Sequence, residues 1–134
     1  MGKPTATSLG TDQQIIRILR DRGLAQFGDS LVNFSYSLTL THATQQPTGV
    51  KVKDRTLANA AAKAGIRQHL PKRVDQGQVA NSLEALIGYL YLKEQLTLDD
   101  IISSLKPREL DDNDESKPFL RLAQAALYKL EQNK

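Results

Sequence analysis

Cysteine and tryptophan are both absent from the 134 residues, and phenylalanine and tyrosine together supply only 5%. Without cysteine there is no disulfide framework, no thiolate nucleophile and no cysteine-based zinc site. The same lack fits a reducing compartment. No apolar run approaches the roughly 20 residues that a bilayer-spanning helix needs. The opening MGKPTATSLG has no apolar stretch of the kind that marks a secretory signal. These lacks together set the expectation of a cytoplasmic protein with no membrane partner.

What is present is a globular composition, 40% hydrophobic and 25% charged. The length suits one domain around one core. Residues 1–10, small and polar, are expected to form a flexible N-terminus, and residues 11–134 a single helical domain. The net charge of +3 is unevenly placed. Residues 1–75 hold 11 Lys and Arg against 5 Asp and Glu, whereas residues 76–134 hold 7 against 10. The densest basic segment carries Lys51, Lys53, Arg55, Lys63, Arg67, Lys72 and Arg73 against Asp54 alone. Such asymmetry points to a side that faces a polyanion, although charges of this kind also occur on ordinary solvated helix faces.

No segment alternates apolar and polar residues for long, and no internal repeat is present, so the chain reads as all-α. Thr11 with Gln14 predicts a capping box for a first helix whose apolar side is Ile15, Ile16, Ile18 and Leu19, with Gly23 at its end. Leu24, Phe27, Leu31, Phe34 and Leu38 recur at helical steps and predict a second helix over residues 24–41 with these side chains inward. A loop over 44–49 follows. Asp54 is the expected cap of a third helix over 55–65, ended by Gly65. After a short turn over 66–70, the next helix is expected over 77–94. Thr97 caps a short helix over 98–105, and ELDDNDES (109–116) reads as a solvated acidic loop. Pro118 suits the first turn of a last helix over 119–130.

Two of these helices carry a carboxylate among apolar neighbours. FGDSLVNF (27–34) holds Asp29. VANSLEALIGYLYL (79–92) holds Glu84, which shares one helical stripe with Asn81 and Gly88 at i, i+3 and i+7. An unpaired carboxylate in such surroundings is costly, so it must be neutralised, ion-paired or holding a cation. Gly28 and Gly88 each cost helix stability, roughly 1 kcal/mol relative to Ala. In return they would let two helices approach and bring the carboxylates together. Such a pair suits Mg²⁺, which prefers oxygen and takes only one or two carboxylates from protein. An ion pair with Arg20 or Arg22 is the purely structural alternative. His42 and His69 have no ligand spacing, and Tyr89 and Tyr91 read as packing or dimer-contact residues.

FGDS at 27–30, followed some fifty residues later by NSLEALIGYLYL at 81–92, resembles the endonuclease domain of the ribonuclease III family. The resemblance covers roughly residues 11–105, which implies a catalytic domain without a double-stranded-RNA-binding domain. It further implies an all-α bundle, a homodimer and Mg²⁺-dependent hydrolysis of double-stranded RNA, with Mn²⁺ a plausible substitute and no organic cofactor. Asp29 and Glu84 match two of the family's four acidic positions, and the other two fall on Ala25 and Asn81. LAQFGDS and LEALIGYLYL are similar to the compact Mini-III branch, which trims ribosomal RNA precursors, and small archaeal relatives of the fold fit equally. On this reading Asp29 and Glu84 ligate the metal and Asn81 holds one of its waters. The basic segment from Lys51 to Arg73 meets phosphates. RNA duplexes are read by shape and backbone, which asks for few aromatics. The competing reading is a catalytically reduced RNA-binding or scaffolding relative, favoured by Ala25 and Asn81, whereas retention of Asp29 and Glu84 favours the enzyme. A generic helical DNA-binding module explains the basic segment but gives Glu84 no task.

Overall fold

The computed structural model describes residues 12–132. Among them are six α-helices and no strand: α1 over 12–19, α2 Arg22–Thr44, α3 Asp54–Ala64, α4 Gln76–Leu92, α5 Leu98–Leu105 and α6 Ser116–Gln132. The expected cap at Thr11 lies outside the described residues. Gly23 does not end α1 but sits in the first turn of α2, because Asp21 accepts the Leu24 N–H at 2.8 Å and starts a new helix there. Gly65 ends α3 as expected. Its φ of 95° lets its N–H reach the carbonyls of Ala61 and Ala62. Asp54 is not the cap of α3 but its first residue, and Lys53 occupies the cap position without a side-chain hydrogen bond. Helix α4 begins with an Asp75–Gln78 capping box and α5 with a Thr97–Asp100 one.

Helix α4 is the central element, packed by α2, α3 and α6. Leu83, Leu86, Ile87 and Leu90 are fully buried, as are Leu57 and Ala61 of α3 and Leu122 and Ala126 of α6. A helix apolar all round belongs in the middle of a core. The periodicity of α2, however, misreads which face is inward. The buried residues are Ala25, Gly28, Leu31, Val32, Ser35 and Thr39, while Phe27 and Phe34 are exposed. The reason is the closeness of α2 to α4. A Cβ on Gly28 would stand 1.8 Å from the Glu84 carbonyl oxygen, and one on Gly88 would stand 2.9 Å from the Leu24 carbonyl oxygen. Only small residues fit at such a crossing, so Phe27 and Phe34 are turned outward, while Leu31 and Val32 stay buried. The two helices run antiparallel, Leu24 beside Gly88 and Gly28 beside Glu84. Ser35 and Thr39, buried on this face, donate to the carbonyls of Leu31 and Ser35 one turn back, so neither hydroxyl is stranded.

The acidic loop is not wholly solvated. Asp111 is buried and paired with Arg121, whose Nη2 reaches its Oδ2 at 3.1 Å. The same guanidinium donates to the carbonyls of Ser104 and Lys106. That planar fork ties the α5–α6 connection to α6 and holds the Asp111 carboxyl below the usual carboxylate range.

Candidate functional site

The antiparallel crossing at Gly28 and Gly88 opens beside Asp29 and Glu84 into a cleft of about 510 Å³. Residues from α2, α4, the α1–α2 junction and the segments around α3 line it, Asp29, Asn81 and Glu84 among them. The two carboxylates and the amide therefore share one concavity. Glu84 is 3% exposed, and its Oε2 is buried with no hydrogen-bond partner. Asn81, one turn earlier on α4, is exposed at the opening. The Asp29 side chain is 41% exposed.

The pair divides its charge unequally. Burial, then the hydrogen bond and charge of Asp29, then the charge of Asp54, push Glu84 up to about 9, against a smaller pull from Lys51. Asp29 moves the other way. The hydrogen bond from the Glu84 carboxyl holds it below the usual value, and Lys51 and Asn33 add to that against some desolvation. At neutral pH a protonated Glu84 thus donates to an ionised Asp29, and the pair carries one negative charge.

Asp29 is held from outside the crossing as well. Asn33, one turn on, donates to Asp29 Oδ1 at 3.1 Å and accepts the Val52 N–H at 2.8 Å. Two further rungs continue along α2: Val50 N–H to Ser37 Oγ at 2.9 Å and Thr48 N–H to Thr41 Oγ1 at 2.9 Å. The segment 48–52 thus lies extended along the helix. Four residues of helix advance about 6 Å and two of extended chain about 6.6 Å, so partners at 33, 37 and 41 meet 52, 50 and 48. Between Val50 and Val52 stands Lys51, whose Nζ lies 3.5 Å from Asp29 Oδ1.

Asp29 therefore takes Lys51 as its ion-pair partner, not the Arg20 or Arg22 that the sequence offered. Those two arginines line the same cleft with Asp21, Gln26, Asp54 and Gln78. Of the basic segment, Lys51 alone lines it. Leu70 and Val74 form part of its wall, which puts the exposed Lys72 and Arg73 on the connection along its edge. Lys63 lies elsewhere, close enough to Asp114 of the acidic loop to lower its pKa. Lys53, Arg55 and Arg67 are exposed and outside the cleft lining, as is the exposed His42; half-buried His69 is outside it too. Sequence reasoning missed Asn33, Asp54 and the site role of Arg20 and Arg22. Helical spacing from Asp29 was the signal for Asn33, and nothing local marked the others.

The donor set is oxygen-rich and compact. Asp29, Glu84 and the Asn81 amide offer carboxylate and carbonyl oxygens to a hard cation, and the orphaned Glu84 Oε2 fits one. No group of three or more His, Cys, Asp or Glu side chains suited to a metal is found among the described residues. No helix among them is long and apolar enough to cross a membrane. A family model described as Ribonuclease III matches residues 22–131. No curated protein matches the chain.

Proposed function

Because this chain belongs to the ribonuclease III family, we propose that it is a metal-dependent endoribonuclease acting on double-stranded or structured RNA, ribosomal RNA precursors included. Membership relates it to RNA endonucleases. The metal, the duplex and the homodimer are the finer part of the proposal. The observation that carries the reading is the meeting of Asp29 with a buried Glu84 whose Oε2 has no partner. A buried carboxyl held protonated beside an ionised aspartate, with one oxygen unpartnered, is a pair that a divalent cation could take over by displacing the proton. Asp29 and Glu84 would hold Mg²⁺ or Mn²⁺, and Asn81 would add a neutral oxygen. When bound, such an ion supplies positive charge that acidifies water and offsets charge on phosphate oxygens.

The chain's own groups do the rest. The Glu84 proton must leave before a cation is held, so the proton and the ion compete for the same oxygens. Asn33 fixes the Asp29 carboxylate in place, and the buried α4 keeps Glu84 from swinging to solvent. Arg20, Arg22 and Lys51 present cations at the cleft, with Lys72 and Arg73 alongside, to meet the backbone of an A-form duplex. For the homodimer, the exposed Phe27, Phe34 and Leu92 offer an apolar face to a second copy. The buried leucines of α4 are used within the chain.

Cleavage of a perfect RNA duplex with Mg²⁺ tests the reading, comparing wild type with Asp29→Asn and Glu84→Gln. Wild type is expected to cut and both variants to fall by at least about 100-fold. A rise in melting temperature with millimolar Mg²⁺, lost in Glu84→Gln, reports the ion without RNA. Equal cutting by all three proteins removes the enzyme. Duplex binding without cutting assigns the chain to the non-catalytic RNA-binding relatives.

A further inference from the structure

We infer that Asp54, the first residue of α3, is a positioning residue of this centre, holding through water a divalent cation that Asp29 and Glu84 take up directly. This rests on the metal site of the nuclease reading and adds a third carboxylate to it. Asp54 lines the cleft together with Asp29, Asn81 and Glu84. Unlike Asp21, it is not spent on a helix cap, since the cap position of α3 belongs to Lys53. It is exposed, and no ion pair among the described residues includes it. A carboxylate left open in a cleft is available to whatever the cleft receives.

Two neighbours fix where Asp54 stands. The extended segment along α2 ends at Val52, whose N–H goes to Asn33, the side chain that also donates to Asp29. Asp54 opens α3 two residues later, so both carboxylates take their positions from one amide. On the other side Asp54 lies against the start of α4, where a Cβ on Gly77 would stand 3.8 Å from its Oδ2. Gly77, Asn81 and Glu84 fall at i, i+4 and i+7 and share one face of that helix. Helical side chains lean towards the N-terminus, so Glu84 and Asn81 reach back towards the end that Asp54 occupies. The charge of Asp54 acts on Glu84, whose buried Oε2 has no partner. No group of three ligating side chains suited to a metal is found among the described residues, so Asp54 does not join the other two in direct ligation. Mg²⁺ keeps several waters and takes only one or two carboxylates from protein. An outer carboxylate that accepts from those waters is the remaining role.

The test titrates metal-free protein with Mg²⁺ by calorimetry, comparing wild type with Asp54→Asn, Glu84→Gln and Asp99→Asn. Asp99 also lies in the first turn of a helix, α5, but outside the cleft lining, so it shares whatever a carboxylate does for a helix end. Asp54→Asn is expected to weaken Mg²⁺ binding by roughly 10- to 100-fold, with Asp99→Asn within about twofold of wild type. In duplex cleavage the Mg²⁺ concentration for half-maximal rate should rise by the same factor in Asp54→Asn, with KM for RNA at saturating Mg²⁺ within about threefold. A surface charge that is merely nearby accounts for about fivefold at most. A loss of affinity below about tenfold therefore overturns the inference, as does an equal loss in Asp99→Asn. Wild type that binds no Mg²⁺ removes the metal site and this inference with it. Wild type that binds the ion yet cuts no better than Glu84→Gln overturns the nuclease reading, while the lost affinity of Asp54→Asn still supports the placement of Asp54.

Discussion

Glu84 is the residue on which the chemistry and the stability of this protein meet. In the folded chain its pKa lies near 9 against an ordinary 4.5. Between those values the unfolded chain gives up a proton that the folded chain keeps, so stability falls as pH rises. Asp29 has the opposite sign. Its depressed pKa gives stability that is present above the ordinary aspartate value and lost as pH falls through the folded one. Metal-free protein in a chelator should therefore melt highest at mildly acid pH and progressively lower towards pH 9. Glu84→Gln should flatten that alkaline limb, because an amide has no proton to lose. A limb equally steep in the variant would mean that another group sets it. The Asp29, Asn81 and Glu84 trio was legible because polar residues at helical spacing among apolar ones are costly and local in sequence. Asn33 stood one turn from Asp29, but its fixing role was not legible, since its second hydrogen bond comes from a segment nineteen residues away. Lys51 was read as one basic residue among seven, and only its distance to Asp29 sets it apart.

Between elements, the decisive feature is the backbone contact of α2 with α4. Gly28→Ala would drive a methyl into the Glu84 carbonyl at 1.8 Å, and neither helix backbone can yield without losing its own packing. Overfilled cores lose about 1–3 kcal/mol and sometimes more, and this substitution belongs at or beyond the upper end. Gly88→Ala meets its nearest atoms at 2.9 and 3.2 Å, so a smaller loss is expected, within that range. Denaturant midpoints of the two variants check the order. A Gly28→Ala protein as stable as wild type would mean that the helices do not cross this closely. The sequence marked both glycines as the means of approach, and most helix positions followed from period and capping. The inward face of α2 did not. Hydropathy points large apolar side chains inward, whereas the backbone-close crossing puts Ala25, Gly28, Ser35 and Thr39 inward beside Leu31 and Val32 and turns Phe27 and Phe34 out. The Asp21 and Asp75 caps escaped notice for a simpler reason, since an aspartate beside a loop has many possible partners.

For the molecule as a whole, the turning-out of Phe27 and Phe34 leaves apolar surface that continues to Tyr91, whose ring lies 6.1 Å from that of Phe27. Phe34 is 56% exposed, and apolar side chains grouped in the open mark an interaction surface. If a second copy covers this face, Phe34→Glu should convert a dimer to a monomer in sedimentation, with the helical circular dichroism unchanged. Sedimentation of wild type as a monomer at tens of micromolar would remove the homodimer from the proposal. The charge division is also a property of the whole. The basic half contributes Arg20, Arg22 and Lys51 to the cleft, and the acidic loop sits away from it with Lys63 nearby.

The extended segment along α2 behaves as a vernier. Its two scales, about 6 Å on the helix and about 6.6 Å on the strand, drift apart by about half an ångström per step, so a ladder of this kind stays in phase for only a few rungs. Chain added near Pro47 can bulge outward harmlessly. One residue added between the rungs would turn the Lys51 side chain to the opposite face of the strap, away from Asp29, so the length of this short strap sets the ion pair.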